Sequence, residues 1–290
     1  MKLFYRLSEI TDPEERLEDA CLWKAMHDQF GDRITCLPAS IGREELAALV
    51  TDQDVLFGRP KVWERKPGIN PAPAVLRYWN DPAFIELARR RVVPCTYEQA
   101  RAEVAKIHAE GRDAFIKTTA HKEFVSKVPV GRSIMDVAEE MIFSWIDIDW
   151  PVLLVQEHVD MRYEHRFAVM NRTIVAHSPV NIPLTPLDAD RVHGQVSETP
   201  RSAQLEHNLL LAQRLASFAA EAAVRLKEPH CILDVCMIGD RPAIIELNPM
   251  QPGHFGLYAM DVREIARGID TLLLPTVRRR AEEPEVDFAL

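Results

Sequence analysis

The chain has 290 residues, of which 47% are hydrophobic, and this length suggests about two domains of roughly 100–200 residues each. The net charge of −9 argues against a broad nucleic-acid-binding surface, and no apolar run approaches the ~18 residues of a membrane span. The five cysteines include no CxxC pair, and the N-terminus turns acidic too early for a secretory signal. We therefore expect a cytoplasmic protein with reduced thiols that binds neither nucleic acid nor membrane.

The first eighty residues alternate short strand-like runs with helical ones. The strand-like "ITCLP" (34–38) precedes the helix-like "REELAALV" (43–50), and the strand-like "DVLFG" (54–58) follows. This order predicts a small α/β domain over residues 1–80. The proline-rich stretch at 64–75 is typical of a connector.

A second unit, residues 81–150, mixes helices with a pair of strands. Thr96 has the position of a helix N-cap and Gly111 that of a stop signal. The patterns predict helices at 81–91, 96–111 and 133–145 and paired strands at 113–119 and 124–130.

The remainder, residues 151–290, is rich in strands. A strand is predicted at 151–159 and a hairpin at 165–177, with Asn171 and Arg172 at its tip. The run 178–200 has four prolines and no periodicity, so we expect a long loop, and long loops are often functional. The clearest helical pattern spans 202–227.

A second hairpin follows this helix, and each of its apolar strands carries one acid. In a hairpin centred on Asp240, Asp234 and Glu246 each lie six residues from the centre and face each other. This register requires an odd-numbered loop, because a two-residue turn at Gly239–Asp240 shifts the pairing by one.

Two opposed carboxylates repel each other, so something must compensate them. Asn248 lies two residues beyond Glu246 and projects to the same face. Asp234, Glu246 and Asn248 offer only hard oxygen ligands, which suit Mg²⁺. The alternative is that both acids lie on the solvated face of an edge hairpin.

The run "LDVCMIGDRPAIIELNP" (233–249) resembles the end of the ATP-grasp fold, in which Asp, Glu and Asn ligate Mg²⁺ on ATP phosphates. "AFIKTTAHKEFVSKV" (114–128) resembles the superfamily's small β-unit, and "LLVQEHVDMRYEHRFAVMNRTIVAHS" (153–178) its adenine hinge with the following hairpin. Within the superfamily the chain most resembles the arginine-and-two-lysine clade. The resemblance implies two α+β subdomains that grip ATP, at 81–150 and 151–290, after a small α/β domain.

The resemblance also implies roles for individual side chains. Residues 156–159 would form the adenine hinge, and backbone groups of Glu157 and Val159 would read the purine. Phosphate contacts fall to Lys117 and Lys122, ribose binding to Glu164, and catalytic roles to Arg166 and Lys122. The full implied nucleotide set is Lys117, Lys122, Gln156, Glu157, His158, Val159 and Glu164.

Each assignment has a simpler alternative. Lys117 is also compatible with a strand-end lysine whose stem covers apolar surface, and Lys127 could replace Lys122. Glu157 could be an exposed strand end, and Arg166 could form a surface ion pair with Glu164. The chain departs from many ATP-grasp enzymes because "TTAHKEFVSKV" (118–128) has no glycine-rich phosphate loop.

The resemblance implies an ATP-dependent, ADP-forming ligase that joins a carboxylate to an amine through an acyl phosphate. The expected cofactors are ATP and Mg²⁺, and the expected partners are small-molecule or peptide carboxylate and amine substrates. A homodimer is a candidate assembly, and the sequence leaves the oligomeric state open. The alternatives are a kinase that phosphorylates a hydroxyl and a non-catalytic nucleotide-binding protein.

Overall fold

A computed structural model describes most of the chain in eight stretches. These are residues 2–7, 13–51, 54–58, 76–119, 125–138, 153–180, 201–249 and 260–271. The predicted connector at 64–75 lies outside them, as do residues 181–200 of the predicted long loop. None of the helices in these stretches is long and apolar enough to cross a membrane.

The N-terminal part is a three-stranded parallel sheet with strand order β2-β1-β3. It consists of β1 (Leu3–Arg6), α1 (Pro13–Phe30), β2 (Ile34–Leu37), α2 (Arg43–Leu49) and β3 (Val55–Phe57). The alternation of strands and helices confirms the predicted α/β layer. Gly58 follows β3 at φ +102°, where a Cβ atom would lie 2.1 Å from the Arg6 carbonyl oxygen, so this turn requires glycine.

A second sheet is antiparallel and has the order β4-β7-β5-β6. Its strands are β4 (Val92–Cys95), β5 (Ala114–Thr118), β6 (Val125–Val128) and β7 (Leu153–Glu157), and its helices are α3 (Pro82–Ala88), α4 (Tyr97–Ala109) and α5 (Ile134–Ala138). The predicted pairing of 113–119 with 124–130 is confirmed as β5–β6, and Thr96 caps α4 in a capping box. β7 pairs with this sheet, although the sequence analysis assigned its residues to the subdomain at 151–290.

The third sheet is antiparallel as well, with the order β11-β10-β8-β9. It contains β8 (Met161–Met170), β9 (Thr173–Pro179), β10 (Cys231–Ile238) and β11 (Arg241–Pro249). Helix α6 (Arg201–Arg225), which the sequence predicts closely, packs on one face. A last helical segment spans 262–271.

Strand β10 is buried on both faces, and its alternation explains how an acid fits there. Leu233 and Val235 face the core beneath α6. On the opposite face Ile232 joins a core shared with β1 and α1, whereas Cys236 packs in a small apolar cluster with Ala243 and Ile245. On its own face Asp234 is therefore flanked by Ile232 and by Cys236. The cluster around Ile232 includes residues of the N-terminal sheet.

Helix α3 ends earlier than predicted. The pattern predicts a helix through residue 91, but the helix stops at Ala88 because Arg89 adopts a left-handed conformation, φ 52°. This C-terminal position usually holds glycine, so the sequence carries no signal for the stop. The early stop turns Arg90 out of the helix and into the protein interior, where it is 7% exposed.

The turn between β8 and β9 contacts the C-terminal end of α6. Asn171 and Arg172 form the tip, as predicted, at φ 50° and 61°. The Arg172 guanidinium donates hydrogen bonds to the carbonyl oxygens of Val224 (3.2 Å), Leu226 and Lys227 (3.1 Å). A cation on the last carbonyls of a helix satisfies them and opposes the helix dipole.

We expect Arg172→Ala to lower the free energy of unfolding by about 1–2 kcal/mol, because the helix end loses these bonds. Arg172→Gly loses the same bonds but relieves the left-handed strain, so its cost should be smaller by about 0.5–1 kcal/mol. Urea unfolding of the three proteins measures both differences. Equal stability of Arg172→Ala and the wild type would contradict the capping role.

Candidate functional site

Asp234 and Glu246 are cross-strand partners, as the sequence predicts. The loop, however, is the two-residue Gly239–Asp240 turn, since Ile238 pairs with Arg241. We expected this turn to break the pairing, and that expectation is wrong. The register shifts between Asp234 and Val235, so a β-bulge takes up Ile245 and returns Glu246 to the face of Asp234.

Asp234 is fully buried and is held by Arg166 on the neighbouring strand β8. The Arg166 guanidinium donates to both carboxylate oxygens, from Nε at 2.7 Å and from Nη2 at 2.8 Å. A two-pronged contact of this kind fixes the orientation of both groups. Arg166 thus has an interior ion pair instead of a position at the surface.

Glu246 is held by Lys117, which comes from β5 of the second sheet. Both side chains are buried, and the Lys117 ammonium also contacts Tyr78, with Nζ 5.8 Å from the ring centroid. Burial opposes the charged form of Lys117, but the Glu246 carboxylate and then the Tyr78 hydroxyl outweigh it and raise the pKa of Lys117. Lys117 therefore carries a full charge at the junction of the two sheets.

Asn248 joins the two acids. Its Nδ2 atom donates to Asp234 Oδ2 at 3.0 Å and to Glu246 Oε1 at 3.1 Å. Among the described residues, no group of three or more His, Cys, Asp and Glu side chains is arranged to hold a metal. The two carboxylates and the amide of Asn248 nevertheless converge on one face, and their oxygen atoms fit the chemistry of Mg²⁺.

The charge argument from sequence needs revision. Two opposed acids need compensation, but within the described stretches Arg166 and Lys117 already supply two positive charges at hydrogen-bonding distance. The protein's own cations can therefore stabilise the acids. A metal-binding role for Asp234, Glu246 and Asn248 stays a prediction.

The predicted adenine hinge lies at the end of β7. The side-chain oxygen of Gln156 accepts hydrogen bonds from Arg90 and so points toward the β11 bulge. The Glu157 N–H donates to the Arg91 carbonyl at 3.2 Å, and the Glu157 carboxylate pairs with Arg112. The N–H of Glu157 is thus engaged within the sheet, and the predicted purine contact of Glu157 stays a prediction.

The two hinge residues that follow differ in how their backbone is used. The His158 N–H donates to the Asp113 carbonyl at 2.9 Å, and its ring lies 6.5 Å from that of Phe115. Val159 is partly exposed where the chain leaves β7 for β8. The predicted purine contact of Val159 stays a prediction.

Glu164 lies beside a second irregularity, where β8 and β10 shift register and Tyr163 adopts a left-handed conformation, φ 57°. Burial raises the pKa of the Cys236 thiol to about 12. The Arg90 guanidinium opposes this shift, and the Glu164 carboxylate adds to it. Glu164 therefore lies within electrostatic range of the small apolar cluster at Cys236. Its predicted ribose contact stays a prediction.

Two other sequence assignments, Lys122 and Lys127, have separate outcomes. Lys122 lies outside the described residues. Lys127, the alternative to Lys122, forms an ion pair with Asp113 at 3.0 Å.

Sequence reasoning missed Arg90 and Tyr78. The Arg90 guanidinium uses all five of its N–H donors, on Gln156, Ala88, Ile244 and Ile245. Tyr78 is partly buried with its ring beside Lys117, and the loss of water raises the pKa of its hydroxyl. Neither residue belongs to a recognisable motif, since Arg90 lies in a predicted helix and Tyr78 in a short turn.

Comparisons with known proteins place this geometry in a structural class. No protein-family model and no curated protein matches the chain. Among solved structures, D-cycloserine synthetase DcsG is 14% identical, with 94% of this chain and 100% of that chain covered and a TM-score of 0.52. D-alanyl-alanine synthetase A from Vibrio cholerae is 12% identical, with 96% and 99% covered and a TM-score of 0.53.

The chain has the ATP-grasp fold. At such low identities the likeness establishes the fold alone. The N-terminal parallel sheet precedes the second and third sheets along the chain. The acids of β10 and β11 and the lysine of β5 lie where the second and third sheets meet.

Proposed function

We propose that the chain is an ATP-dependent, ADP-forming carboxylate–amine ligase. The observation that supports this most directly is the convergence of Asp234, Glu246 and Asn248 with Arg166 and Lys117 where the second and third sheets meet. Oxygen ligands and two cations at one place suit a triphosphate with its divalent metal. The finer resemblance to the arginine-and-two-lysine clade and a cytoplasmic location belong to this proposal.

The nucleotide would lie across the hairpin. Its adenine ring needs apolar walls, which the cluster of Cys236, Ala243 and Ile245 offers beside the hinge. The hinge residues 156–159 would contact the purine, and Glu164 the ribose. The phosphates would then reach Lys117, with Lys122 as a second phosphate contact.

Mg²⁺ would be held by Asp234, Glu246 and Asn248 and would neutralise charge on the ATP phosphates. The Lys117 ammonium would exchange its contact with Glu246 for one with a phosphate oxygen, because a lysine ammonium binds phosphate well as a point charge. Arg166 would keep Asp234 oriented. Its guanidinium would also place positive charge near the reacting groups.

The reaction would proceed in two balanced steps. A substrate carboxylate oxygen attacks the γ-phosphorus of ATP, the bond to the β-phosphate oxygen breaks, and an acyl phosphate and ADP result. An amine then attacks the acyl carbon, an amide forms, phosphate leaves and the amine loses a proton. The protein contributes mainly positioning and charge neutralisation, so no covalent protein nucleophile is required.

The decisive experiment is a screen for ADP formation with Mg²⁺ and ATP against amino acids, peptides and small carboxylic acids. We expect ADP and phosphate in equal amounts, together with an amide product, from at least one pair of substrates. Asp234→Asn should abolish this turnover. Asp240→Asn is the matched control, because Asp240 is exposed in the turn of the same hairpin.

Other outcomes would reject the proposal in distinguishable ways. A stable phosphoester without an amide would identify a kinase. Binding of ATP without ADP formation from any acceptor would identify a nucleotide-binding protein. Normal turnover by Asp234→Asn would reject the metal role of this residue. Loss of turnover in Lys127→Met would transfer the second phosphate contact from Lys122 to Lys127.

A further inference from the structure

The β-bulge that pairs the two acids has an unusual partner. Arg90 donates from Nη1 to the Ile244 carbonyl oxygen at 2.6 Å and from Nη2 to the Ile245 carbonyl oxygen at 2.7 Å. In a regular strand, neighbouring carbonyl groups point toward opposite edges. One guanidinium can therefore contact both oxygens only where the strand is distorted, which is at the bulge.

The same guanidinium links the bulge to the second sheet. Its Nε and Nη2 donate to the side-chain oxygen of Gln156 at 3.1 and 2.9 Å, and its Nη1 also donates to the Ala88 carbonyl at 3.1 Å. Gln156 lies in β7 and is the first residue of the predicted hinge at 156–159. A single buried side chain thus connects the strand carrying Glu246 with the strand that leads to the hinge.

Two features near Arg90 are energetically unfavourable by themselves. Arg89 adopts a left-handed conformation that costs roughly 1 kcal/mol for a residue other than glycine, and Arg90 is a cation removed almost entirely from water. A buried cation without partners is strongly destabilising. Every N–H donor of Arg90 has an acceptor, and two of these acceptors are the carbonyls of Ile244 and Ile245. Because both carbonyls are within reach only at the bulge, the cost of burying Arg90 is offset only when the bulge is present.

We propose that Arg90 is a positioning residue that fixes the bulge at Ile245 and so holds Glu246 opposite Asp234. Without the bulge, the two-residue turn would place Ile245 opposite Asp234 and turn Glu246 to the other face. The inference rests on the proposed function, in which these two acids hold Mg²⁺.

Lysine cannot replace arginine in this role. The contacts require a planar group that donates in three directions at once, whereas an ammonium group is a compact point charge on a flexible stem. Arg90→Lys keeps the positive charge but loses the simultaneous contacts with Ile244, Ile245 and Gln156. The pair of variants Arg90→Lys and Arg90→Met therefore separates geometry from charge.

The test measures metal binding directly. Mn²⁺, a spectroscopic substitute for Mg²⁺, is titrated into the full chain with a non-hydrolysable ATP analogue, and electron paramagnetic resonance counts the free ion. We expect both Arg90 variants to weaken Mn²⁺ binding by about 10- to 100-fold, as partners of metal ligands typically do. Arg172→Lys is the matched control, because Arg172 also donates to backbone carbonyls but lies at the end of α6.

The outcomes are distinguishable. Failure of the wild type to bind Mn²⁺ with the analogue overturns the proposed function and the inference with it. Wild-type binding together with undiminished binding by folded Arg90→Met overturns the inference alone. If Arg90→Met does not fold, Arg90→Lys decides by the same criterion. Loss of Mn²⁺ affinity in Arg172→Lys as well would show a general effect of stability and would also overturn the inference.

Discussion

Glu246→Gln is expected to abolish magnesium-dependent ADP formation and to lower the free energy of unfolding by about 3–5 kcal/mol. The loss of activity follows from the loss of a charged metal ligand. The loss of stability follows from Lys117, whose ammonium would be left buried beside an uncharged amide. We would measure urea unfolding together with ADP formation from the substrates that the screen identifies.

A double variant separates these two effects. Lys117→Met combined with Glu246→Gln removes both charges, so most of the lost stability should return while activity stays absent. Glu221→Gln is the control for a surface ion pair: Glu221 pairs with Arg225 on α6, and its loss should cost about 0.3–0.5 kcal/mol. Normal ADP formation by Glu246→Gln would reject the metal role, and a double variant no more stable than the single one would reject the buried pair.

Arg166→Met is the second substitution with a large expected effect. It removes the two-pronged partner of Asp234, a carboxylate that is fully buried. We expect a loss of about 3–5 kcal/mol in stability and a drop in turnover of about 10²–10³-fold. Thermal unfolding and the rate of ADP formation at saturating ATP measure the two effects.

Arg166→Lys shows which role Arg166 has. The lysine keeps a charge near Asp234 but cannot make both hydrogen bonds. A higher KM for the carboxylate substrate with little change in kcat would indicate contact with that substrate, whereas a lower kcat alone would indicate orientation of Asp234. The control is Arg162→Lys, because Arg162 is on the same strand but exposed beside Asp160. Unchanged stability and turnover in Arg166→Met would contradict both roles.

Local patterns predicted much of the fold. The period of residues 202–227 predicts α6 because a long helix repeats its apolar face many times, and Thr96 marks the start of α4. The acids of the last hairpin could be paired by counting from Asp240. Counting could not reveal the bulge at Ile245, because the sequence there reads as an uninterrupted strand.

Contacts between distant segments could not be predicted. Lys117 and Glu246 lie 129 residues apart and on different sheets, so their ion pair depends on how the sheets pack. Arg90 was hidden for a different reason: its helical pattern continues past Ala88, and only the left-handed Arg89 ends the helix. The sequence thus predicted the acids, their common face and the site residues Lys117 and Arg166, but not the ion pairs between these cations and the acids.

The placement of β11 at the margin of its sheet has one more consequence. An open strand margin offers unpaired backbone groups to other chains and so invites aggregation. Pro242 and Pro249 lack N–H donors near the two ends of this strand, and Arg90 occupies two carbonyls between them. The strand that carries Glu246 is thereby a poor template for a foreign strand, which protects solubility as well as the geometry of the hairpin.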